Sequence, residues 1–375
     1  MSIPAPRHRA MDLVRGLVMI VMVLDHTRDF YFGFHVDPTD LTETWPFLFF
    51  TRFITHYCAP GFVMLAGASA YLYGRKRTPS ERRRFLLTRG LWLVLLELTV
   101  VHFGWDPEPR YSFVLLQVIW AIGWSMVLLA PISSLSPRML VAIGATLVIG
   151  HGLLDSIHLG TDGAERFLWS VVHEQHAFRP REGLRVMVAY PLVPWVGVMA
   201  LGFGLGELYA GDARTRLRTL VGIGVGAILA FIVIRGIDRY GDPSPWATQA
   251  SPVFTLMSFL NCTKYPPSLD YLLMTLGPIL LVLAAFERFT LPEPVAKVLE
   301  TFGRVPLFFY VAHLYLLSVS AMAVSALQGT EDPDGSLGQV YAVWACAVAL
   351  LYLPCRWFAQ LKERRGKDWW WLSYT

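Results

Sequence analysis

Stretches long enough to cross a bilayer as a helix, which takes about 20 mostly apolar residues, recur about ten times along this chain. They fall near residues 11–33, 46–73, 83–103, 112–132, 137–157, 185–209, 216–236, 267–288, 304–326 and 337–358. Only 16% of the 375 residues are charged, whereas soluble domains carry about 25%. Mean hydropathy is +0.46. These features exclude a soluble enzyme. The fold expected is all-α, a polytopic membrane protein of about ten transmembrane helices, since every backbone group in lipid needs an internal partner. No second domain, repeat or low-complexity segment is visible, so residues 1–375 read as one transmembrane domain. Arg7 and Arg9 ahead of an apolar core resemble a signal peptide. However, "DHTRDF" stands where a small-residue cleavage site belongs, so the first span is read as retained. Cys58, Cys262, Cys346 and Cys355 make no metal or redox spacing and read as packing residues.

Lysine and arginine counting sets the orientation. With the N-terminus inside, the inner segments hold Arg7, Arg9 and Arg15; the run "RKRTPSERRR" with Arg89; Arg138; Arg214, Arg216 and Arg218; Arg288, Lys297 and Arg304; and Arg356, Lys362, Arg364, Arg365 and Lys367, together 22 of the 32 basic residues. The outer segments hold the acidic "DPTDLTE" and "TEDPDG". Both termini are therefore expected in the cytoplasm. The last residues, "DWWWLSYT", fit an interfacial anchor.

The first span poses a problem. "GLVMIVMVL" runs straight into "DHTRDF", and each charge left in hydrocarbon costs about 2.5–3.5 kcal/mol. His26 lies roughly 10 Å below the outer end of span 1, and His56 roughly 15 Å below that of span 2, at 1.5 Å per residue. Arg52 lies one turn above His56 on the same face. Antiparallel neighbours thus bring Asp25, His26, Arg28, Asp29, Arg52 and His56 into one depth band. Ion pairing of the two helices accounts for the four charges as well as function does. It gives no role to an imidazole, and histidine near a carboxylate is the usual general base at neutral pH.

Other residues admit two readings. Lys264, with Asn261 in "NCTKYPPSLD", suits an oxyanion or hydroxyl, or is a snorkelling lysine. His313 lies mid-span in "FGRVPLFFYVAHLYL", as a substrate contact or a packing residue. His173, Glu174 and His176 in "HEQH" have metal-ligand spacing but no evident further ligand, so no metal is expected. The glycines of "GFGLG" follow no strand and read as close helix packing, as do Gly222 and Gly226.

"DLVRGLVMIVMVLDHTRDF", "FFTRFITHYCAPGFVMLAGASAYLYG", "YPLVPWVGVMALGFGLG" and "LNCTKYPPSLDYLLMTLGP" resemble a bacterial family of uncharacterised multi-pass proteins. That family is grouped with the catalytic domain of heparan-alpha-glucosaminide N-acetyltransferase, among the transmembrane acyltransferases. The resemblance covers nearly the whole chain. It implies transfer of an acyl group, acetyl first, from cytosolic acyl-CoA to a hydroxyl or amine of an envelope glycan or lipid across a bacterial inner membrane. His26 stands where related sugar O-acyltransferases keep a histidine. The lysosomal enzyme has asparagine there and a histidine further on, with His35 the nearest counterpart at a different spacing. The resemblance also makes the basic loop 75–89 a meeting point for coenzyme A phosphates. The expected catalytic set is then His26, His56, Asp25, Asp29 and His35. Arg28, Arg52, Asn261, Lys264 and His313 are expected to bind substrate. Partners expected are the bilayer, acyl-CoA and the acceptor; a homodimer is open, and no nucleic acid is expected. Two rivals use the same residues: a transporter or lipid-handling protein, and an assembly partner whose charges only pair helices.

Overall fold

The computed structural model describes residues 8–32, 36–160, 163–330, 333, 335–366, 368, 369 and 372. Helix dominates it. The first helices are α1 (Arg9–Tyr31), α2 (Pro46–Thr55), α3 (Cys58–Gly74), α4 (Pro79–Leu96) and α5 (His102–Trp105). Then come α6 (Val118–Ile132), α7 (Pro137–Gly150), α8 (Ala164–Val172), α9 (Leu192–Ala210) and α10 (Ala213–Ile237). The last are α11 (Pro252–Leu260), α12 (Leu269–Arg288), α13 (Glu293–Arg304), α14 (Pro306–Gln328) and α15 (Leu337–Arg365).

Helix occupies every one of the predicted apolar segments. Among the described residues, 7 helices are long and apolar enough to cross a membrane: Pro79–Trp105, Pro137–Leu154, α9, α10, α12, α14 and α15. The remaining segments fall short for physical reasons. In α1 the charges at both ends dilute the apolar run. In α6 only 15 residues are helical. The span predicted over 46–73 breaks at His56–Tyr57, because Pro60 has no N–H to give the His56 carbonyl one turn back. The phenol of Tyr271 donates to that carbonyl instead, at 2.7 Å. The outward faces carry exposed Leu229, Ile232, Val319, Leu350 and Leu353, a lipid-facing belt that marks a membrane protein.

The expectation of an all-helical chain needs one correction. Strands β1 (Phe113–Leu116), β2 (His176–Arg181) and β3 (Leu184–Val188) form a small sheet in the order β1-β3-β2. β1 runs parallel to β3, and β2 antiparallel to it. β1 and β3 were counted as the starts of two spans, because a short apolar run has no period that separates strand from helix. Pro191 follows β3 as the N-cap of α9.

Glycine sets the closest approach between helices. A Cβ at Gly202 of α9 would sit 2.1 Å from the Met64 carbonyl oxygen of α3, and one at Gly67 of α3 would sit 2.1 Å from that of Met199. "GFGLG" is thus close helix packing, as read. Gly222 and Gly226 are not, since nothing lies within 4 Å of them; Gly224 meets Leu281 and Gly277 of α12 instead. α1 contacts α2, α3, α12, α13, α14 and α15, so its polar residues reach partners from much of the bundle.

Candidate functional site

Asp25 and His26 are consecutive on α1, so their side chains leave the helix about 100° apart. That offset decides the site. Asp25 turns to α2, where the Arg52 guanidinium donates to its carboxylate. Arg28, one turn on, lies 3.2 Å from Asp25 and donates to Asp29 at 2.5 Å. Two carboxylates and two guanidiniums form a buried network of zero net charge. Paired charges of this kind are what hydrocarbon tolerates.

His26 turns to α14. Its Nδ1 lies 2.7 Å from Nε2 of His313, the two rings inclined by 17°. Nδ1 of His313 lies 3.0 Å from the Phe309 carbonyl. A carbonyl only accepts, so this nitrogen carries the proton and Nε2 of neutral His313 is bare. His26 must then donate from Nδ1, which leaves its own Nε2 as a lone-pair acceptor. No partner for that nitrogen is found among the described residues. α1 and α14 run parallel here: Tyr31 also donates to Ser320, one to two turns further along each helix, at 2.8 Å.

Trp105 stands edge-on to His26 at 4.7 Å, and Tyr310 at 6.1 Å. Trp105 is brought there by a π-helical turn at Glu97–Val101, which joins α4 to α5. Glu97, 1% exposed, accepts the Trp120 N–H at 3.0 Å at the start of α6, where a helix dipole favours a carboxylate. Glu97, Trp105 and Tyr310 were missed in the sequence. Glu97 was legible on the same ground as Asp25, as a lone acid in "LWLVLLELTVV". The π-turn carried no signal.

The other expected residues fall in different places. His56 is buried at the α2–α3 break, its ring 5.4 Å from that of Tyr271 and its Nδ1 without a partner. It bonds to neither His26 nor Arg52. Lys264 sits in the turn before α12 and exerts its charge on Asp25, His26 and His56. Asn261 donates to the Thr39 carbonyl at 2.8 Å and so ties this turn to the α1–α2 loop. The turn is held from behind by Arg235, which donates to the Asn261, Ser258 and Phe259 carbonyls. His35 lies outside the described residues. Of "HEQH", Glu174 pairs with Arg166 and His158, while His176 begins β2. All four cysteines are free thiols, as their spacing implied.

Several polar atoms around the band are buried without hydrogen-bond partners: Arg28 Nη1, His56 Nδ1, Trp105 Nε1, Gln117 Nε2 and the Tyr310 hydroxyl. Proteins seldom leave such groups unpaired. A cavity of about 830 Å³ leads towards them from the end of the bundle where α1 begins. Arg15, Arg75, Lys76, Arg89, Arg216 and Arg304 line its mouth. Met19, Leu93, Val118, Ile119 and Ile122 line its throat, and Tyr310 closes the inner end, one ring from His26. At the mouth, burial and then the Arg216 charge hold the imidazole of His8 below its ordinary pKa.

No curated protein matches the chain. The family described as "Heparan-alpha-glucosaminide N-acetyltransferase, catalytic" matches residues 7–236, a stretch that includes Asp25, His26, Arg52, His56 and Glu97 but neither Lys264 nor His313. That match covers more than half of the sequence, and the chain belongs to the heparan-alpha-glucosaminide N-acetyltransferase catalytic family.

Proposed function

We propose that this protein is a single-domain, ten-span acyltransferase of a bacterial inner membrane, with both termini in the cytoplasm. It takes an acyl group, acetyl first, from cytosolic acyl-CoA and delivers it to a hydroxyl or amine of an envelope glycan or lipid. The observation that carries this reading is the cavity: a mouth of basic side chains, an apolar throat, and an inner end one ring from a histidine whose tautomer is set. Those parts suit the phosphates, the pantetheine arm and the thioester of one ligand in that order. From Arg15 to His26 is roughly 16 Å along α1 at 1.5 Å per residue. The positive-inside rule puts the same mouth in the cytoplasm.

Acyl-CoA supplies the thioester carbonyl. His26 Nε2 takes the proton of the acceptor as its oxygen or nitrogen bonds to that carbon, and the proton is returned to the departing thiolate. His313 orients His26 and accepts its Nδ1–H, so the imidazolium that forms is hydrogen-bonded on its far side. Asp25, Arg28, Asp29 and Arg52 hold α1 against α2, with Asp25 and Asp29 the nearest acids to offset a charge on His26. Lys264 and the turn braced by Asn261 face the acceptor side. His56 and His35 are the reserve candidates for the base.

The test is turnover of acetyl-CoA by the purified protein, with an envelope lipid and glycan fraction as acceptor. We expect the wild type to release thiol and a His26→Ala, His56→Ala double variant to lose that activity. Equal turnover by both would sink the mechanism. Thermal stabilisation by coenzyme A separates an acyl-CoA enzyme from a transporter, which has no reason to respond.

A further inference from the structure

The described residues outside the acyl-transfer site contain one arrangement that this function leaves unused. His151 opens the 3-10 turn that ends α7, Asp155 caps that turn, and His173 caps α8. One ligand atom from each lies within 4.8 Å of the others. His173 Nε2 and Asp155 Oδ1 are 2.9 Å apart, and the two imidazoles are 5.7 Å apart at 61°.

A simple ion pair accounts for Asp155 and His173. It does not account for His151, which is 3% exposed and has both ring nitrogens without a hydrogen-bond partner, or for the unpartnered Nδ1 of His173. A buried imidazole with no partner is a cost that folded proteins rarely carry. A cation removes it by taking one nitrogen as a ligand. The Pro267 backbone beside the ring can then accept the N–H of the other nitrogen, the usual support for a metal-bound histidine.

We propose that His151, Asp155 and His173 bind one divalent first-row transition metal, of the zinc class. Two imidazoles and one carboxylate are a donor set for such ions, not for calcium or magnesium, which prefer oxygen. Tetrahedral bonds of 2.0–2.1 Å put ligand atoms about 3.3 Å apart. The 2.9 Å pair needs little movement to reach that, losing the proton the two atoms now share. Three protein ligands leave a fourth position, and Asp155 also lines a neighbouring cavity of about 230 Å³ with Tyr240, Asp242 and Ser268. The ion would clamp the end of α7 to the excursion carrying α8, β2 and β3, beside the loop that sets Lys264.

This proposal stands apart from the acyltransferase reading, since its readouts are metal content and melting temperature. The full chain, purified in detergent with a tag that has no histidines, is stripped with EDTA and re-equilibrated with zinc. Elemental analysis is expected to find about one zinc per chain, with melting raised above that of the stripped protein. His151→Gln and, separately, the partly exposed Asp155→Asn are expected to lose both effects, while His176→Gln on β2 keeps them. Asp155→Asn serves if His151→Gln fails to fold. Iron or manganese held at the same stoichiometry, and lost in the same variants, supports the site equally. Zinc at buffer level in the wild type overturns the proposal, as does zinc retained by either loss variant or lost equally by His176→Gln.

Discussion

His313→Leu tests the tautomer relay most directly. His26 Nδ1 has a single acceptor, His313 Nε2 at 2.7 Å, and His313 is itself fixed by Phe309 O at 3.0 Å. Leucine fills much of the same space but leaves the His26 N–H unpaired, at about 1–3 kcal/mol. The loss weighs more on imidazolium than on imidazole, because charged donors bond more strongly. It therefore falls on the transition state, and at 1.36 kcal/mol per tenfold it predicts a fall in kcat/KM of about 5- to 150-fold. His313→Gln keeps an amide oxygen that can accept the same bond, and should stay within about fivefold of wild type. The assay is thiol release from acetyl-CoA by protein in liposomes supplied with an envelope fraction, with melting temperatures measured in parallel. Full activity in His313→Leu refutes the relay. So does an equal fall in both variants when both remain folded, because a packing role would not distinguish a hydrogen-bond acceptor from an aliphatic chain.

Removing one member of the charge network should cost far more than removing a pair. Arg52→Gln is expected to destabilise the detergent-solubilised protein by about 3–5 kcal/mol, and adding Asp25→Asn should recover most of it. Additive losses in chemical denaturation would contradict the pairing. Gly202→Val drives a side chain into the Met64 carbonyl and should abolish folded protein in size-exclusion profiles, whereas Gly222→Ala, with open space around it, should be neutral or stabilising by about 0.5–1 kcal/mol. A double Arg75→Gln, Lys76→Gln variant should weaken coenzyme A binding in a thermal-shift titration, and its affinity should depend less on salt than the wild type's. His8 is held below its ordinary pKa by burial and by Arg216, so it stays neutral in the fold at pH values where the unfolded chain already binds a proton. Its contribution is present above about pH 6.5 and fades as pH falls through the lowered value. His8→Gln should flatten melting temperature between pH 7 and 5.

The bundle was legible because hydrocarbon permits few solutions, and apolar length alone finds them. What escaped were departures from regular helix. The break at His56–Tyr57 needs Pro60 and also Tyr271, a residue far along the chain that takes over the freed carbonyl. The strands at Phe113–Leu116 and Leu184–Val188 are apolar enough to pass for the first turn of a span, and only their pairing identifies them. Gly222 and Gly226 have the same spacing as packing glycines, yet the helix face that meets α12 is that of Gly224. Periodicity shows which residues share a face, not which face finds a neighbour.

The site divides along the same line. Depth along two antiparallel helices can be counted from the sequence, and it correctly brought Asp25, Arg28, Asp29 and Arg52 together. It also grouped His26 with them, since depth does not record the 100° turn between adjacent residues. That turn is what frees the histidine. A base bonded to Asp25 would share the carboxylate with two guanidiniums, in a network already neutral. Facing α14, His26 meets a neutral imidazole instead, and the backbone carbonyl behind it dictates where both protons lie. The ion pairs offset the charges in the bundle, and the histidines beside them are left free of salt bridges. The question raised by "LDHTRDF" therefore has two answers, one for each side of α1. On the second side, the imidazole that meets His26 is that of His313, a residue nearly three hundred positions away.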